Sequence, residues 1–488
     1  MNDVQNEEPA VAERETLRCQ LAVIGGGAAG LMAALEATRR GLDVILLDRL
    51  DDLGGNAARA AGHAAFESVE QRNRRVSLTK EGVYQAMMEL SDWNANPSLL
   101  SRFVERSAEV VDRLLELGIH YDKVIAIDPV HQLTTSHLPT GRMRAVVDVL
   151  STELERRGVR IYRGFRAEQL EVAAGSVSAI VARNNVGAEL LIQPCAALIA
   201  TGGYAASPKL MRRYAGLAKT PSAGNGADTG DGLALAAMAG GHASSLIGAV
   251  LVAATTNGRP LTDDISCACV QPTLWVDGSG RRFCNEALAL ALYRAGDIVA
   301  RLNQGFAWSI FDQSQIDKLI HSGARRGMGS AILPGTKLTK LRVQLEEDLA
   351  GGETAFRADS LEELAGLIGV ELEPFINEVS QYHEACAEGV DHRFFKTHNL
   401  DPLLHPPFYA LRMEATALCT TGAIEVDEFL RVLDHYGNPV GGLYAAGNDA
   451  AGPWGKTAIT TIGGAPAGFA LTSGLLVAEH AAGWCHRH

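Results

Sequence analysis

The stretch QLAVIGGGAAGLMAALEATRRGLDVILLD, residues 20–48, decides the fold predicted for this chain. It begins with a short apolar run suited to a β-strand. It continues through the glycines of a G-x-G-x-x-G motif, Gly25, Gly27 and Gly30. A helical segment follows, and a second apolar run ends on Asp48. Strand, glycine turn, helix and strand in this order predict a βαβ unit that binds a dinucleotide.

The residues of this unit match the chemistry of a dinucleotide. Gly25 permits the tight turn, Gly27 lets the backbone approach a pyrophosphate, and Gly30 allows the helix to pack closely on the sheet. The N-terminus of the helix offers N–H groups and a partial positive charge to the phosphates. The Asp48 carboxylate lies where it would accept hydrogen bonds from ribose hydroxyls.

Composition limits the class of protein. The chain has 488 residues and a formal net charge of −13, which argues against a nucleic-acid partner because nucleic acid requires a basic surface. There is no apolar run long enough to span a membrane, and residues 1–19 lack the apolar core of a secretory signal. The eight cysteines show no spacing typical of metal ligands. We therefore predict a cytoplasmic protein without a membrane span or a metal.

The rest of the chain alternates strand-like and helical segments. Residues 167–194 predict a β-meander, and Leu361–Cys386 predicts one long helix. Glycine loops follow apolar runs at Thr201–Gly203 and within Gly442–Asp449, and Gly463-Gly464 precedes the last long helix. Together these loops favour one extended cofactor. The sequence contains one well-formed fingerprint, so a second nucleotide domain for NAD(P)H is not expected.

Seven short motifs give the chain a resemblance to a known family. In order they are VIGGGAAG, GGNAARAAG, SHLPTGR, ATGG, ADTGDG, GRRFCNE and GLYAAGN, and they cover nearly the whole chain. The set resembles the flavoprotein family of fumarate reductase and succinate dehydrogenase, which also contains the 3-ketosteroid dehydrogenases. The resemblance implies an α/β fold: a Rossmann-like FAD-binding domain built from both ends of the chain, with an inserted α+β capping domain.

The resemblance also implies a division of the chain. A flexible N-terminal arm would occupy residues 1–18, and the FAD-binding domain would take residues 19–244 and 401–488. The capping domain would take residues 245–400. The active site would lie between the two domains, over the flavin ring.

Matching positions imply which residues contact FAD. The fingerprint would hold the ADP half, the later glycine loops would follow the rest of the cofactor, and Asp231 of ADTGDG would bond it. The residues implied are Gly25, Gly27, Ala29, Gly30, Asp48, Arg49, Gly55, Asn56, Ala61, Gly62, Thr201, Gly202, Gly203, Asp231, Gly447, Asn448, Gly463 and Gly464. The family's covalent flavin histidine falls at Asn56, so we expect FAD to be bound non-covalently. The last helix would direct its positive end towards the flavin.

The chain departs from the fumarate reductases where they bind substrate. Their catalytic arginine is missing from its place after N-E, and the nearest arginine is Arg294. Cys419 replaces a substrate-binding histidine, and Thr461 replaces a second arginine. Since a dicarboxylate requires paired guanidinium groups, fumarate and succinate are not expected as substrates. The steroid match is also partial, because Tyr293 stands near one catalytic tyrosine but the late loop GPWGKTAITTIGG has none.

Three residues are candidates for proton transfer, each with a structural alternative. His63 could exchange protons near the flavin, or it could be a loop histidine bonded to backbone. Tyr293 could polarise a carbonyl, or it could pack in the core of the capping domain. Arg294 could donate a proton or bind a carboxylate, or it could be a solvated charge on a helix.

Three further residues are candidates for substrate contact. Lys456 and Thr460 lie in the late loop that should face the substrate, and Lys456 could bind an oxyanion or be a surface lysine. Cys419 could contact the substrate or only fill space.

The sequence thus predicts an FAD-dependent oxidoreductase acting on a carbon–carbon bond next to a carbonyl or carboxyl group. Its substrate would be a small molecule, and its electron acceptor is left open. Three alternatives stay open here: a 3-ketosteroid-dehydrogenase-like enzyme, a flavin-binding electron-transfer subunit without its own substrate, and a flavin oxidase or hydroxylase.

Overall fold

The computed structural model describes residues 15–127, 132–217, 219–245, 248–254, 259–290, 292–329, 331–455 and 462–488. Its strands are β1 Glu15–Ile24, β2 Val44–Asp48, β3 His63–Ala64, β4 Tyr121–Ala126, β5 Thr134–Pro139, β6 Arg160–Arg163, β7 Phe165–Ala173, β8 Ser176–Asn184, β9 Glu189–Ile199, β10 Ala249–Ala254, β11 Leu274–Asp277, β12 Phe306–Asp312, β13 Ala355–Ala358, β14 Phe408–Thr420, β15 Arg431–Leu433 and β16 Pro439–Ala445. Its α-helices are α1 Ala28–Arg39, α2 Val69–Asn73, α3 Lys80–Leu90, α4 Pro97–Glu116, α5 Arg142–Arg156, α6 Pro208–Leu210, α7 Asp231–Met238, α8 Asp264–Cys269, α9 Leu292–Ala300, α10 Gln313–His321, α11 Leu341–Gly351, α12 Leu361–Ile368, α13 Leu372–Glu388 and α14 Ala465–Cys485.

The first sheet joins both ends of the chain. Its strand order is β15-β16-β8-β9-β1-β2-β6, with β7 paired to β8. The centre is parallel and apolar, as expected for strands covered on both faces. Helices α1 and α14 pack together so closely that a Cβ on Gly474 would lie 2.2 Å from the Ala29 carbonyl oxygen. This architecture confirms the predicted α/β, Rossmann-like fold, and β7, β8 and β9 form the predicted antiparallel meander.

The predicted C-terminal boundary of the flexible arm, residue 18, lies within β1. Residues Glu15–Arg18, assigned to the flexible arm, are part of β1 and pair in parallel with Leu190–Gln193 of β9. The prediction was wrong for these four residues because β9 is long enough to offer them backbone partners. The rest of the predicted arm, residues 1–14, lies outside the described residues.

The second sheet has the order β10-β14-β12-β11, with β13 also paired to β14. All of these pairings are antiparallel. The predicted boundary at residue 400 would separate β14, Phe408–Thr420, from the sheet in which it is the central strand. The second sheet therefore continues to Thr420, past that boundary. Local sequence could not show this, because the partners of β14 lie far away in the chain.

The predicted helix Leu361–Cys386 is two helices. Gly369 ends α12 with a left-handed φ of +71°, a conformation that glycine adopts without strain. Helix α13 then begins at Leu372. A third sheet, β3-β5-β4, lies beside the start of α14, where the Ala64 N–H donates to the Gly464 carbonyl at 2.9 Å. Across the described ranges, no helix is both long and apolar enough to cross a membrane.

Candidate active site

A cavity of about 1190 Å³ lies between the first and the second sheet. One side, which we name the glycine wall, is formed by Gly25, Gly27, Gly55, Gly202, Gly447 and Gly464 with their neighbours. The other side, which we name the strand wall, is formed by Val250, Val252, Glu414, Thr416 and Leu418 of β10 and β14. The cavity is therefore continuous from the fingerprint glycines to the second sheet.

The fingerprint glycines create the space that a pyrophosphate requires. Gly25 has a φ of +111°, and a Cβ there would lie 2.2 Å from the Ala200 carbonyl oxygen. A Cβ on Gly30 would lie 1.9 Å from the Gly25 carbonyl oxygen, so only glycine fits at this position in the first turn of α1. In contrast, a Cβ on Gly27 would meet nothing within 4 Å and would project into open space. Gly27 thus leaves backbone exposed to the cavity at the N-terminus of α1.

Asp48 borders the cavity at the end of β2. Its Oδ2 accepts from the Gly26 N–H at 2.7 Å, and its Oδ1 accepts from the Leu50 N–H at 2.8 Å. Burial raises the pKa of this carboxyl above its usual value, although both backbone donors oppose the shift. Each carboxylate oxygen has a further lone pair, so Asp48 can still accept from a ribose hydroxyl.

Asp231 lies on the cavity but is engaged by two arginines. Its Oδ2 accepts from Arg49 Nη1 at 3.0 Å and from Arg166 Nε at 2.9 Å, and its Oδ1 accepts from Arg166 Nη2 at 2.8 Å. Burial alone would raise the pKa of Asp231, but hydrogen bonds from Arg166 and Arg49 outweigh it and the pKa is lowered. The Asp231 carboxylate thus orients Arg49 beside the cavity, and its predicted bond to FAD stays a prediction.

Asn56 holds a segment that connects the two sheets. We name residues 219–228 the bridging loop. Asn56 Oδ1 accepts from the Asn225 N–H at 2.8 Å, and its Nδ2 donates to Asp228 Oδ2 at 3.3 Å. On its other side, the loop exchanges backbone hydrogen bonds of 2.8 Å with Ala417 of β14. Asn56 therefore borders the cavity and also fixes the loop between its two walls.

Asp228 carries a buried oxygen atom whose hydrogen bonding is not satisfied by the described residues. Its side chain lines the cavity, the residue is 2% exposed, and Oδ1 has no hydrogen-bond partner among the residues the structure describes. Burial raises the pKa of Asp228, against its hydrogen bonds and the charge of Arg49. A polar ligand in the cavity would satisfy this oxygen.

Asp449 was missed by sequence reasoning, which named only its neighbour Asn448. The Asp449 carboxylate is fully buried and accepts from the N–H groups of Gly202 at 3.0 Å and Gly203 at 3.2 Å, and from that of Thr201. Burial raises its pKa to about 6, against these donors. The signal was available, because an acid in the turn four residues after the end of β16 meets the loop after the neighbouring parallel strand β9.

The start of α14 completes the glycine wall. Thr135 Oγ1 donates to the Gly463 carbonyl at 3.1 Å, and the Gly464 carbonyl accepts from Ala64. These two bonds fix the turn so that Gly464, Pro466 and Ala467 face the cavity. The helix N-terminus thereby presents its partial positive charge to whatever occupies the cavity.

The strand wall is mostly apolar. Val250, Val252 and Leu418 project from β10 and β14, and Leu261 and Met328 continue the surface. Within the described chain, the one guanidinium group that borders this wall is that of Arg259. It forms ion pairs with Asp348 Oδ1 at 2.6 Å, with Glu347 Oε2 at 2.7 Å and with Asp263. The described part of this wall therefore has no two guanidinium groups that are free of acidic partners and available to a dicarboxylate.

Most of the predicted cofactor residues lie together. Those lining the cavity are Gly25, Gly27, Ala29, Asp48, Arg49, Gly55, Asn56, Ala61, Gly62, Thr201, Gly202, Asp231, Gly447, Asn448 and Gly464. Gly30, Gly203 and Gly463 stand behind this surface, where each permits a close approach. A Cβ on Gly203, for example, would lie 2.2 Å from Thr420 Oγ1.

His63 is not placed for proton exchange. It is fully buried in β3, outside the cavity lining, and its Nε2 lies 2.8 Å from the Tyr121 hydroxyl. Burial, with the nearby His137, lowers the pKa of His63 to about 3, so the ring is neutral near pH 7. The prediction that it titrates near neutral pH is therefore corrected. The cause is the long-range pairing of His63 with His137 of β5, which sequence proximity to glycines did not reveal.

Arg294 also lies away from the cavity lining. Helix α9 buries Ala295 and Val299, and Gly296 packs against the backbone of β10, where a Cβ would lie 2.7 Å from the Leu251 carbonyl carbon. Arg294 falls on the other face of α9 and is exposed, which matches its alternative as a solvated charge. The side chain of Tyr293 lies outside the described residues.

Of the three candidates for substrate contact, only Cys419 lies within the described residues. Cys419 lines the cavity, and burial together with Asp228 raises the pKa of its thiol to about 12, so the thiol is neutral. Lys456 and Thr460 lie outside the described residues, as does Thr461.

The residues present fit FAD. The glycine wall supplies a cradle of backbone at the N-termini of α1 and α14, Asp48 has acceptor capacity for a ribose, and Asp228 offers an unsatisfied oxygen. The same cavity also borders the strand wall. No group of three or more His, Cys, Asp or Glu side chains suited to a metal ion occurs in the described portion of the chain.

Comparison with known proteins agrees with this fit. The family described as FAD binding domain matches residues 20–458. The vinyl phenol reductase of Lactiplantibacillus plantarum is 30% identical over 481 residues, which cover 96% of this chain and 97% of that protein. The 3-oxosteroid 1-dehydrogenase of Mycobacterium tuberculosis is 23% identical over 576 residues, covering 94% and 97%.

A solved structure supports the fold. The open conformation of a flavocytochrome c3 fumarate reductase superposes with a TM-score of 0.78 at 24% identity, covering 96% of this chain and 79% of that one. This neighbour shows the fold, and the family match together with the relatives confirms the resemblance inferred from the seven motifs.

Proposed function

As a member of the FAD-binding family the chain is an FAD-dependent oxidoreductase, and we propose that it reduces the carbon–carbon double bond of an uncharged alkene. One observation carries this proposal: the cavity runs without interruption from the backbone cradle of the glycine wall to an apolar strand wall. An apolar wall stabilises an uncharged substrate by excluding water from it.

The chain's own residues would divide the work. Gly27, Asp48 and Asp228 would hold non-covalently bound FAD, and Asn56 would keep the bridging loop against both sheets. Val252 and Leu418 would orient the alkene and exclude water. When bound, FAD supplies the two-electron chemistry of the reaction. Tyr293 remains our candidate for the proton at the neighbouring carbon.

Relatives with different substrates help to define the class. The relative from L. plantarum is named for a vinyl phenol, whereas the structural neighbour is named for fumarate. The described strand wall lacks the unmatched guanidinium pair that a dicarboxylate requires. We therefore propose that the substrate is an alkene conjugated with an aryl or carbonyl group rather than a dicarboxylate.

The test is a steady-state assay with reduced methyl viologen as the electron donor. The panel holds 4-vinylphenol, an α,β-unsaturated ketone, acrylate and fumarate at equal concentration. We expect kcat/KM for the uncharged alkenes to exceed that for fumarate by at least about a hundredfold. Equal or faster turnover of fumarate would refute the proposal, provided that the protein holds stoichiometric flavin.

A second candidate is dehydrogenation of a 3-oxosteroid, because the apolar strand wall would also suit a steroid. The two candidate functions differ in the direction of the reaction. A saturated ketosteroid would bleach the oxidised flavin under anaerobic conditions, whereas an alkene reductase would show bleaching only with an added electron donor.

A further inference from the structure

Two arginines of the cavity lining have no acidic partner among the described residues. Arg59 ends the short helical turn Gly55–Arg59, and Arg142 begins α5. Neither guanidinium group forms a hydrogen bond or an ion pair with any part of the chain that the structure describes. Both residues are exposed and both line the cavity, so they stand where the cavity opens to solvent. We name Arg59 and Arg142 the arginine pair.

The remaining arginines of the lining are compensated by carboxylates. Arg49 and Arg166 both contact Asp231, at 3.0 and 2.8 Å, and Arg259 contacts three acids. An anionic ligand would have to displace a carboxylate from each of these three guanidinium groups. At the arginine pair it would meet no such competitor among the described residues.

A backbone contact holds the arginine pair together. The Met143 N–H, one residue after Arg142, donates to the Ala60 carbonyl, one residue after Arg59, at 3.3 Å. This bond brings both side chains to the same rim of the cavity, so both can reach one anion there. Two guanidinium groups suit the oxygens of a phosphate, because each presents paired N–H donors in a fixed geometry.

The position of the arginine pair distinguishes its ligand from FAD and from the alkene. The pyrophosphate of FAD would lie at Gly27 and the N-terminus of α1, and the alkene would lie against the apolar strand wall. The proposed reaction consumes two electrons in each turnover, so an external donor must reduce FAD again. Because the chain carries a net charge of −13, an anionic donor would be attracted only where the local field is positive, as it is at the arginine pair.

We propose that Arg59 and Arg142 bind the phosphate group of a diffusible redox cofactor that reduces FAD between turnovers. Two cofactors carry this chemistry. Reduced FMN would give two electrons and two protons to FAD and leave as oxidised FMN. NADH would give a hydride, with one proton from water, and leave as NAD⁺. This inference rests on the proposed function and adds the class of electron donor.

Binding to the FAD-loaded protein tests the phosphate site without turnover. FMN and riboflavin differ only in the phosphate, as do nicotinamide mononucleotide and nicotinamide riboside. Equilibrium dialysis gives the four dissociation constants, and FAD released into the dialysate is measured in the same samples. We expect at least one phosphorylated compound to bind about tenfold or more tightly than its phosphate-free partner, because charge-assisted hydrogen bonds are lost without the phosphate. Added salt should reduce this preference.

The double variant Arg59→Gln, Arg142→Gln should reduce the preference to about threefold or less and leave binding of the phosphate-free compounds unchanged. The double variant Arg59→Lys, Arg142→Lys should give an intermediate preference, since lysine keeps the charge but loses the paired donors. Arg75→Gln is the matched control, because Arg75 is exposed and has a left-handed φ of +56° like that of Arg142, +61°, but lies outside the cavity lining.

A kinetic measurement identifies the source of the phosphate. Formation of 4-ethylphenol from 4-vinylphenol is followed without oxygen, with photoreduced FMN or riboflavin as donor, and then with NADH or reduced nicotinamide riboside. If the phosphate lowers KM for the flavin donor, the site serves a flavin mononucleotide; if it lowers KM for the nicotinamide donor, the site serves a nicotinamide nucleotide. Equal KM values within both pairs would overturn the assignment of an electron donor.

The results separate this inference from the proposed function. Equal binding within both pairs of compounds, or a preference that survives in the double glutamine variant, overturns the phosphate site. Loss of FAD from that variant also overturns it, because the arginines would then hold FAD itself. If the wild type reduces 4-vinylphenol with methyl viologen but shows no phosphate preference, only this inference fails. If the preference is found and no alkene is reduced, the phosphate site stands and the proposed function fails.

Discussion

On the glycine wall, Gly25, Gly27 and Gly202 contribute backbone and empty space, whereas on the strand wall Val252 and Thr416 contribute side chains. The glycine wall depends on the absence of a Cβ, so few residue types can occupy it. The strand wall depends on the backbone pairing of β10 with β14, and many different apolar side chains are compatible with that pairing. This difference explains why the glycine wall can be recognised from a sequence motif, whereas the strand wall can vary in sequence and determine substrate specificity.

The largest effect is expected on the glycine wall. Gly27→Val should lower FAD affinity by at least about a hundredfold, equivalent to roughly 3 kcal/mol, because the new side chain would fill the space left for the pyrophosphate. The fold should persist, since Gly27 has an ordinary φ of −77° and no protein neighbour within 4 Å of its Cβ position. FAD titration by fluorescence and the melting temperature of the apoprotein are the measurements.

Gly366→Ala in α12 is the control for this change, because a Cβ there also meets nothing within 4 Å and the residue lies away from the cavity. Unchanged FAD affinity in Gly27→Val would contradict the assignment of the glycine wall.

The second effect concerns the stability of that wall. Asp449→Asn should destabilise the protein by about 2 kcal/mol at pH 5, because both oxygens of a carboxyl group can accept from the surrounding N–H groups, even when the group is protonated, whereas the amide nitrogen of Asn cannot. The folded pKa of about 6 exceeds the ordinary aspartate value of 3.8, so the carboxyl contributes its full stability below pH 3.8 and loses it as pH rises through about 6.

The difference in unfolding free energy between wild type and Asp449→Asn should therefore shrink between pH 4.5 and pH 7. Denaturant unfolding at several pH values measures it, and Asp434→Asn, at an exposed turn, serves as the control. A difference that grows with pH would show that the carboxylate is stabilised in its charged form.

A smaller effect is expected on the strand wall. Val252→Thr should lower kcat/KM for an uncharged alkene about three- to tenfold and leave FAD affinity unchanged, since a hydroxyl replaces a methyl group at nearly constant volume. Val276→Thr is the matched control, because Val276 is buried in β11 of the same sheet but does not line the cavity. Equal losses in both variants would mean that the effect comes from the sheet and not from the substrate contact.

The smallest effect is expected at the rim of the glycine wall. Arg166→Gln should change FAD affinity by less than about threefold, because Arg166 is exposed and Asp231 keeps its ion pair with Arg49. A loss of FAD comparable with that of Gly27→Val would instead give Arg166 a direct contact with the cofactor.

Sequence reasoning identified residues that line the cavity where the constraint is local. Gly25, Gly27 and Asp48 could be found because a turn, a close approach and a strand end are encoded within one βαβ unit. The same reasoning misplaced His63 and the boundary at residue 400, because the pairings of β3 with β5 and of β14 with β10 are long-range. Glu414 gave no local signal at all, since only the pairing of its strand decides that its face meets the cavity.

The direct test of the central claim is a single-turnover experiment with the purified flavoprotein. The flavin is reduced photochemically without oxygen, and its absorbance is followed after one equivalent of 4-vinylphenol or of fumarate is added. We predict that the uncharged alkene restores the oxidised spectrum and that fumarate leaves the flavin reduced over the same time. Rapid reoxidation by fumarate and none by the uncharged alkene would contradict a cavity that joins the glycine wall to an apolar substrate site.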